Sequence, residues 1–149
     1  MTHSKEQYLE GAICRHRLPV VSNASPAEAH PPKRLALPAG ELAQLTGDAD
    51  GEAFRYLACL ELRAGTVRGN HLHRQRHERF YLISGAATLH FLDPASGGRA
   101  SVDLLPGDLV QVAPGIAHAL QVIESGRAVE FSPEAFDPTD THRHVILAS

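Results

Sequence analysis

From Lys33 onward the sequence is a succession of short apolar runs, each closed by residues that make tight turns: Gly47-Asp48, Asp93-Pro94, Gly97-Gly98, Pro106-Gly107-Asp108, Pro114-Gly115 and Ser125-Gly126. Glycine supplies positive φ at such places, while proline and aspartate preset the turn geometry. This punctuation predicts an all-β sandwich or barrel. The expected strands are Arg34 to Leu37, Phe54 to Leu62, Val67 to His73, Arg79 to Ser84, Ala87 to Leu92, Ala100 to Leu104, Leu109 to Val112, Ala117 to Ile123 and Ala128 to Phe131, with one helical turn over Glu41 to Leu45. Residues 1–32 read differently. Two Pro-rich clusters, Ser22 to Pro26 and His30 to Pro32, flank a single possible strand at Leu18 to Val21, so this part is expected to be an N-terminal extension lying across the barrel or a partner subunit. The expected organisation is an extension over 1–32 and one β-barrel domain over 33–149.

Within that frame one stretch carries chemistry. Gly65 to Gly85, GTVRGNHLHRQRHERFYLISG, reads as G-x5-H-x-H-x4-E-x6-G. His71 and His73 are two apart, so an extended strand sends both side chains to the same face, and Glu78 returns on the next strand after a polar turn. Imidazole and carboxylate converging from neighbouring strands form a metal-ligand set. Further on, PGDLVQVAPGIAHAL offers a fourth ligand, His118, after the Pro114-Gly115 turn. Parity supports the grouping. Glu78 shares its face with Phe80 and Leu82, and His118 with Leu120 and Val122, so each polar group points among apolar neighbours. An unpaired carboxylate there would be costly, and a cation removes the cost.

These two segments resemble the paired motifs of the cupin superfamily, small β-barrel proteins that hold a divalent metal with three histidines and one glutamate. The first motif matches at every defining position. The second matches at Gly107, Gly115 and His118, with Ala113 where the family usually has proline and Val122 where it often has asparagine. The resemblance spans Phe54 to Phe131 and implies a single-domain, jelly-roll-like β-barrel that pairs as a homodimer. A second resemblance is carried by VRGNHLH, ERFYLISG and AFDPTDTH, which are similar to segments in the cupin domains of bacterial sugar-nucleotide and capsule-sugar biosynthesis proteins. In one branch of these, the nucleotide-linked ketosugar isomerases, the histidines are implied to move protons without a metal. This chain keeps the full ligand set, Glu78 included.

The chain has 149 residues, 43% hydrophobic and 21% charged, which suits one domain with a real core. It lacks Trp and is only 5% aromatic, so that core must be largely aliphatic. A net charge of −3 with no dense Lys/Arg block excludes an electrostatic footprint for nucleic acid. No apolar run is long enough for a membrane span, and MTHSKEQYLEG has no apolar leader core, so a cytoplasmic protein is expected. The two cysteines lack a C-x-x-C spacing. Cys59, in the run YLACLEL, is expected to be a buried inert thiol, and Cys14 is open.

Three imidazoles and a carboxylate leave coordination positions open on an ion such as iron, manganese, nickel, cobalt, copper or zinc, where water or an oxygen-bearing substrate binds. Arg68, in the RGNH step, is placed to pair with a carboxylate or phosphate at the barrel mouth. Tyr56, Tyr81 and Gln111 are the other polar strand residues expected at a substrate pocket. His77 is expected at the surface, His90 on either face, and the His142/His144 pair without a second ligand set. The leading expectation is a metal-dependent enzyme that isomerises or epimerises a polar small molecule, plausibly a sugar or sugar nucleotide. The alternatives are an iron dioxygenase and a non-catalytic binding or sensing module. No residue in the sequence identifies itself as the base. An N-terminal arm and exposed barrel edges also suggest a homodimer.

Overall fold

The computed structural model describes residues 3–22, 31–47 and 53–148. Its strands are β1 (Ser4–Tyr8), β2 (Ile13–Arg17), β3 (Val20–Ser22), β4 (Lys33–Leu37), β5 (Gly40–Gln44), β6 (Tyr56–Leu62), β7 (Val67–Leu72), β8 (Glu78–Leu92), β9 (Arg99–Leu104), β10 (Asp108–Val112), β11 (Ala117–Ser132) and β12 (His142–Arg143). Among the described residues, single 3-10 turns interrupt them at Leu9–Gly11 and Pro138–Asp140. Nine strands form one sheet in the order β1-β2-β10-β8-β11-β7-β12, with β6 on β11 and β9 on β8, and β3-β4-β5 make a small second sheet. The all-β jelly-roll expected from the turn punctuation is what the chain adopts.

Two pairs of expected strands merge. Arg79 to Ser84 and Ala87 to Leu92 are the halves of β8, and Ala117 to Ile123 and Ala128 to Phe131 are the halves of β11. β8 and β11 pair along their whole length, with register shifts between Val122 and Ala128. Glycine makes the crossing possible. Gly85 has φ +86, and a Cβ there would meet the Glu124 carbonyl oxygen at 2.6 Å. The turn signals at Gly85 and Ser125-Gly126 therefore mark a bulge in continuous strands rather than chain reversals.

Alternation then sorts the side chains. The barrel interior holds Ile13, Leu62, Phe80, Leu82, Leu89, Phe91, Val102, Leu104, Val110, Val112, Leu120 and Val122. It is aliphatic apart from two phenylalanines, as the composition requires. The opposite face of β8, β10 and β11 presents Tyr81, Leu109 and Phe131, which pack with Leu18, Ala43, Leu45 and Phe54 in a second cluster. The small sheet covers this outer face.

The segment expected as a helical turn, Glu41 to Leu45, is instead β5. Leu42 sits opposite the buried Leu35 across a short hairpin, and this apolar pair overrides the local propensity. The strand expected at Leu18 to Val21 starts two residues later, at Val20, and runs parallel to β4. The first residues of the arm join the barrel's own sheet: β2 pairs with β10, and Ile13 is fully buried in the barrel core. Of the Pro-rich clusters, residues 23–30 lie outside the described residues, as does Asp48 of the Gly47-Asp48 turn. Among the described residues no helix is long and apolar enough to cross a membrane.

Candidate metal centre

The RGNH step has a structural meaning. β7 bulges there, so that His118 of β11 stands opposite His71 while the next residue, Ala119, stands opposite Gly69. Gly69 and Asn70 both take positive φ, +85 and +57, and a Cβ on Gly69 would meet the His118 carbonyl oxygen at 2.9 Å. The extra residue shifts the alternation, and both Arg68 and His71 line the barrel cavity.

His71, His73, Glu78 and His118 converge, with one ligand atom from each lying within 4.8 Å of the others. The imidazole centroids of His71 and His73, and of His71 and His118, are 4.8 Å apart. His73, Glu78 and His118 are buried, and His71 is half-buried. Backbone carbonyls orient two of the rings. Nδ1 of His73 lies 2.8 Å from the Asp140 oxygen, and Nδ1 of His118 lies 3.1 Å from the Ile116 oxygen. A carbonyl only accepts, so each Nδ1 carries the proton and each Nε2 is a lone-pair donor aimed inward.

Those inward atoms stand 3.2 Å and 3.1 Å from Glu78 Oε2 for His73 and His118. They lie within ion-pair distance but are not aligned as hydrogen bonds, and Nε2 of both rings and Oε2 of Glu78 are buried with no hydrogen-bond partner. Orphaned buried acceptors are costly, and a cation at their centre satisfies all three. Ligands on opposite sides of an ion with bonds of about 2.1 Å are about 4.2 Å apart, so closing the set requires only a small inward adjustment. The residues present fit a divalent transition metal.

Electrostatics separate the four. Burial raises the Glu78 carboxyl, but the neighbouring His118 and His73 outweigh it and hold it well below its ordinary range. Burial lowers His118, but the Glu78 charge overcomes that and holds the imidazole above its ordinary value. His71 is pushed down to about 4 by burial and by His118. Without a cation, the Glu78 charge favours protonation of His118, whereas burial keeps His71 neutral.

The cavity measures about 320 Å³. His71, Glu78, His118, Arg68 and Glu130 edge one part of it, and Leu60, Phe80, Leu89, Val112 and Leu120 wall the rest. Two residues that the sequence did not single out complete its polar side. Arg76 is buried, donates from Nη2 to Glu130 Oε1 at 2.7 Å, lies 3.7 Å from Glu78 Oε2 and sits 4.7 Å over the Tyr56 ring. Glu130 is raised to about 7 by burial and by the Glu78 charge. Parity held a signal for Glu130, which shares an inward face with the buried Ala128, but the β11 bulge hid it. Arg76 lies in a polar loop and gave none.

The other expected residues divide. Arg68 is exposed at the cavity rim, near the Glu61 carbonyl. Tyr56 is half-buried beneath Arg76 and stacks on Phe136, next to the cavity rather than lining it. Tyr81 and Gln111 do not reach the cavity. Tyr81 is one residue out of phase with Phe80 and packs in the outer cluster, and Gln111 lies opposite Arg79 on that same outer side. Cys59, expected to be buried, is exposed, because β6 lies at a sheet margin and buries only alternate residues. Cys14 is buried. His77 is exposed and pairs with Glu134, and His90 faces away from the core toward Ser101 and Gln121. His142 and His144 join no ligand group among the described residues.

No protein-family model matches this sequence, and no curated protein matches it. Solved structures do. The dTDP-4-dehydrorhamnose 3,5-epimerase of Sulfolobus tokodaii is similar with a TM-score of 0.72 at 18% identity, over 95% of this chain and 81% of that one. The 3,5-epimerase RmlC of Legionella pneumophila, solved with dTDP-4-keto-L-rhamnose, gives 0.70 at 13% identity over 94% and 76%. The 3,4-ketoisomerase QdtA of Thermoanaerobacterium thermosaccharolyticum, solved with TDP-4-keto-6-deoxyglucose, gives 0.65 at 18% over 75% and 83%. The chain has the cupin fold, in the form also taken by these sugar-nucleotide enzymes.

Proposed function

We propose that this protein isomerises or epimerises a nucleotide-linked keto sugar, with a divalent transition metal held by His71, His73, Glu78 and His118. The observation that supports the reading is the convergence of these four side chains, three of which line one cavity together with Glu130, in a barrel shaped like those of known epimerases and ketoisomerases. The bound ion would supply Lewis acidity toward a substrate oxygen.

The chain's own residues divide the remaining work. Arg68 at the rim pairs with a phosphate, a planar bidentate match that holds the charged part of the substrate outside. The apolar wall of Leu60, Leu89 and Leu120 excludes water around the reacting carbons. Glu130, poised near neutrality, takes the proton from the carbon next to the carbonyl, and the C–H electron pair moves into an enolate. In isomerisation Glu130 returns the proton to the former carbonyl carbon while the hydroxyl proton of the deprotonated carbon passes to the old carbonyl oxygen; in epimerisation a proton from solvent reaches the opposite face of the same carbon. Arg76 holds Glu130 in place.

The test is incubation with TDP-4-keto-6-deoxyglucose in D2O, with metal content measured on the same sample. Deuterium wash-in beside the carbonyl, lost in His71→Ala and Glu78→Gln, supports the reading. Metal-replete protein that exchanges nothing would sink it. The half-apolar cavity favours a second reading, iron-dependent oxygenation, for which ferrous reconstitution should give substrate-dependent oxygen uptake. A homodimer belongs to the proposal as well: among the described residues β6 pairs only with β11, and Leu57 on it is 70% exposed.

A further inference from the structure

The chain beyond β11 does more than close the fold. Three fastenings tie it to the ligand strand and to the turn after it. The Asp140 carboxylate accepts from three successive backbone N–H groups, those of Arg74, Gln75 and Arg76, with shortest approaches of 2.8, 3.3 and 3.1 Å. The Asp140 carbonyl accepts from His73 Nδ1. β12 then pairs with Leu72 and His71, and the Asn70 side chain grips the chain beyond it, accepting from Ile146 and Leu147 N–H and donating to the Leu147 carbonyl. Asp140 is itself placed by a 3-10 turn capped at Asp137, whose carboxylate accepts from Thr139.

We propose that Asp140 is the positioning residue of this site: its carbonyl fixes the tautomer and direction of His73, while its carboxylate fixes the 74–76 turn that carries Arg76 toward Glu130 and leads into Glu78. One residue thereby sets groups on two sides of the cavity. The turn has no regular secondary structure to hold it, and among the described residues no other side chain accepts from its three N–H groups. Neutral imidazole in solution exchanges between two tautomers; His73 is committed to the one that offers Nε2 to a cation. The metal part of the inference rests on the function proposed above, and the tautomer part does not.

The test uses the full-length protein. Long-range 1H–15N NMR on the metal-free wild type should show the His73 proton on Nδ1. Asp140→Ala keeps the backbone carbonyl but removes the carboxylate that ties residue 140 to the 74–76 turn, so the carbonyl is no longer held against Nδ1 and His73 should become a mixture of tautomers, while His118, held by Ile116, serves as the internal control. Titration with Co2+, followed by its visible spectrum, should show affinity reduced about 10–100-fold in Asp140→Ala and less in Asp140→Asn, which retains one acceptor oxygen for the Arg74 and Gln75 N–H groups and guards against a variant that fails to fold. A proton on His73 Nε2 in the wild type overturns the proposal, as does a folded Asp140→Ala with unchanged tautomer and Co2+ affinity. If the wild type binds no Co2+, the metal reading fails, and the tautomer measurement still decides the role of Asp140.

Discussion

His118 Nε2 stands 3.1 Å from Glu78 Oε2 with both side chains buried, so a cation entering between them competes with a proton on the imidazole. Glu78 holds the imidazole above its ordinary value, whereas His71, pushed to about 4, is already neutral. Metal uptake near pH 6.5, the ordinary histidine value, should therefore release a proton from His118, and affinity should keep rising with pH above that point. Calorimetry in buffers of different ionisation enthalpy measures the release. Uptake with no proton release at this pH would show that His118 is not a ligand.

His71 makes its own contribution to acid sensitivity. Its folded value of about 4 lies below the roughly 6.5 of an unfolded histidine, so across that window the unfolded chain binds a proton that the folded chain refuses. Stability should fall as pH drops from 6.5 toward 4. The ring is half-buried, so after solvent screening the loss is about 1–2 kcal/mol. His118 has the opposite sign: its stabilisation is complete below about 6.5 and is lost as pH rises from there through its raised value. Urea unfolding of the metal-free wild type and His71→Gln at pH 5 and pH 7 separates the two, with the smaller loss expected in the variant. Equal losses would count against a buried neutral His71.

The fold and the convergence of His71, His73, Glu78 and His118 were legible because both depend on spacing. Turn residues set strand lengths, and period-two alternation placed Glu78 with Phe80 and His118 with Leu120. What depends on bulges and on sheet margins was not legible. The bulge that spans Gly85 on β8 and Val122 to Ala128 on β11 joined strands that looked separate and hid the inward turn of Glu130. Tyr81 and Gln111 were polar groups on the right strands with the wrong parity, and Cys59 lay in an apolar run whose outer face nothing covers among the described residues. β1, SKEQY, has no apolar alternation to read; it pairs with β2 through its backbone and stays largely exposed.

Gly69 is the narrowest point in the approach of β7 to β11. An alanine there combines positive φ with a Cβ 2.9 Å from the His118 carbonyl, so the two ligand strands must part. The backbone term alone costs about 1–2 kcal/mol, and the displacement falls on His71 and His118 together. Gly69→Ala should lower thermal stability and metal affinity, whereas Gly65→Ala, with the same kind of φ and nothing within 4 Å, should lower stability alone. Equal metal affinity in the two variants would show that the bulge does not set the ligands.

Glu130 gives a prediction in which stability and activity move in opposite directions. Its carboxyl is raised to about 7, so between about pH 4.5 and 7 the unfolded chain gives up a proton that the folded chain retains, and stability declines as pH rises. Glu130→Gln removes that decline. Arg76 loses its 2.7 Å partner but keeps Glu78 at 3.7 Å and the Tyr56 ring beneath it, so the cation is not stranded. At pH 8 the variant should match or exceed the wild type in stability, by up to about 2 kcal/mol, and at pH 5 it should have no advantage. If Glu130 moves the substrate proton, the same variant should slow deuterium wash-in from TDP-4-keto-6-deoxyglucose by about 10²–10⁴-fold, with KM little changed because the group that holds the phosphate is Arg68. Arg68→Ala should do the reverse, raising KM while wash-in at saturation persists. A Glu130→Gln enzyme that exchanges at the wild-type rate would leave the proton transfer to the histidines, and the acid at the cavity wall would then serve only to anchor Arg76.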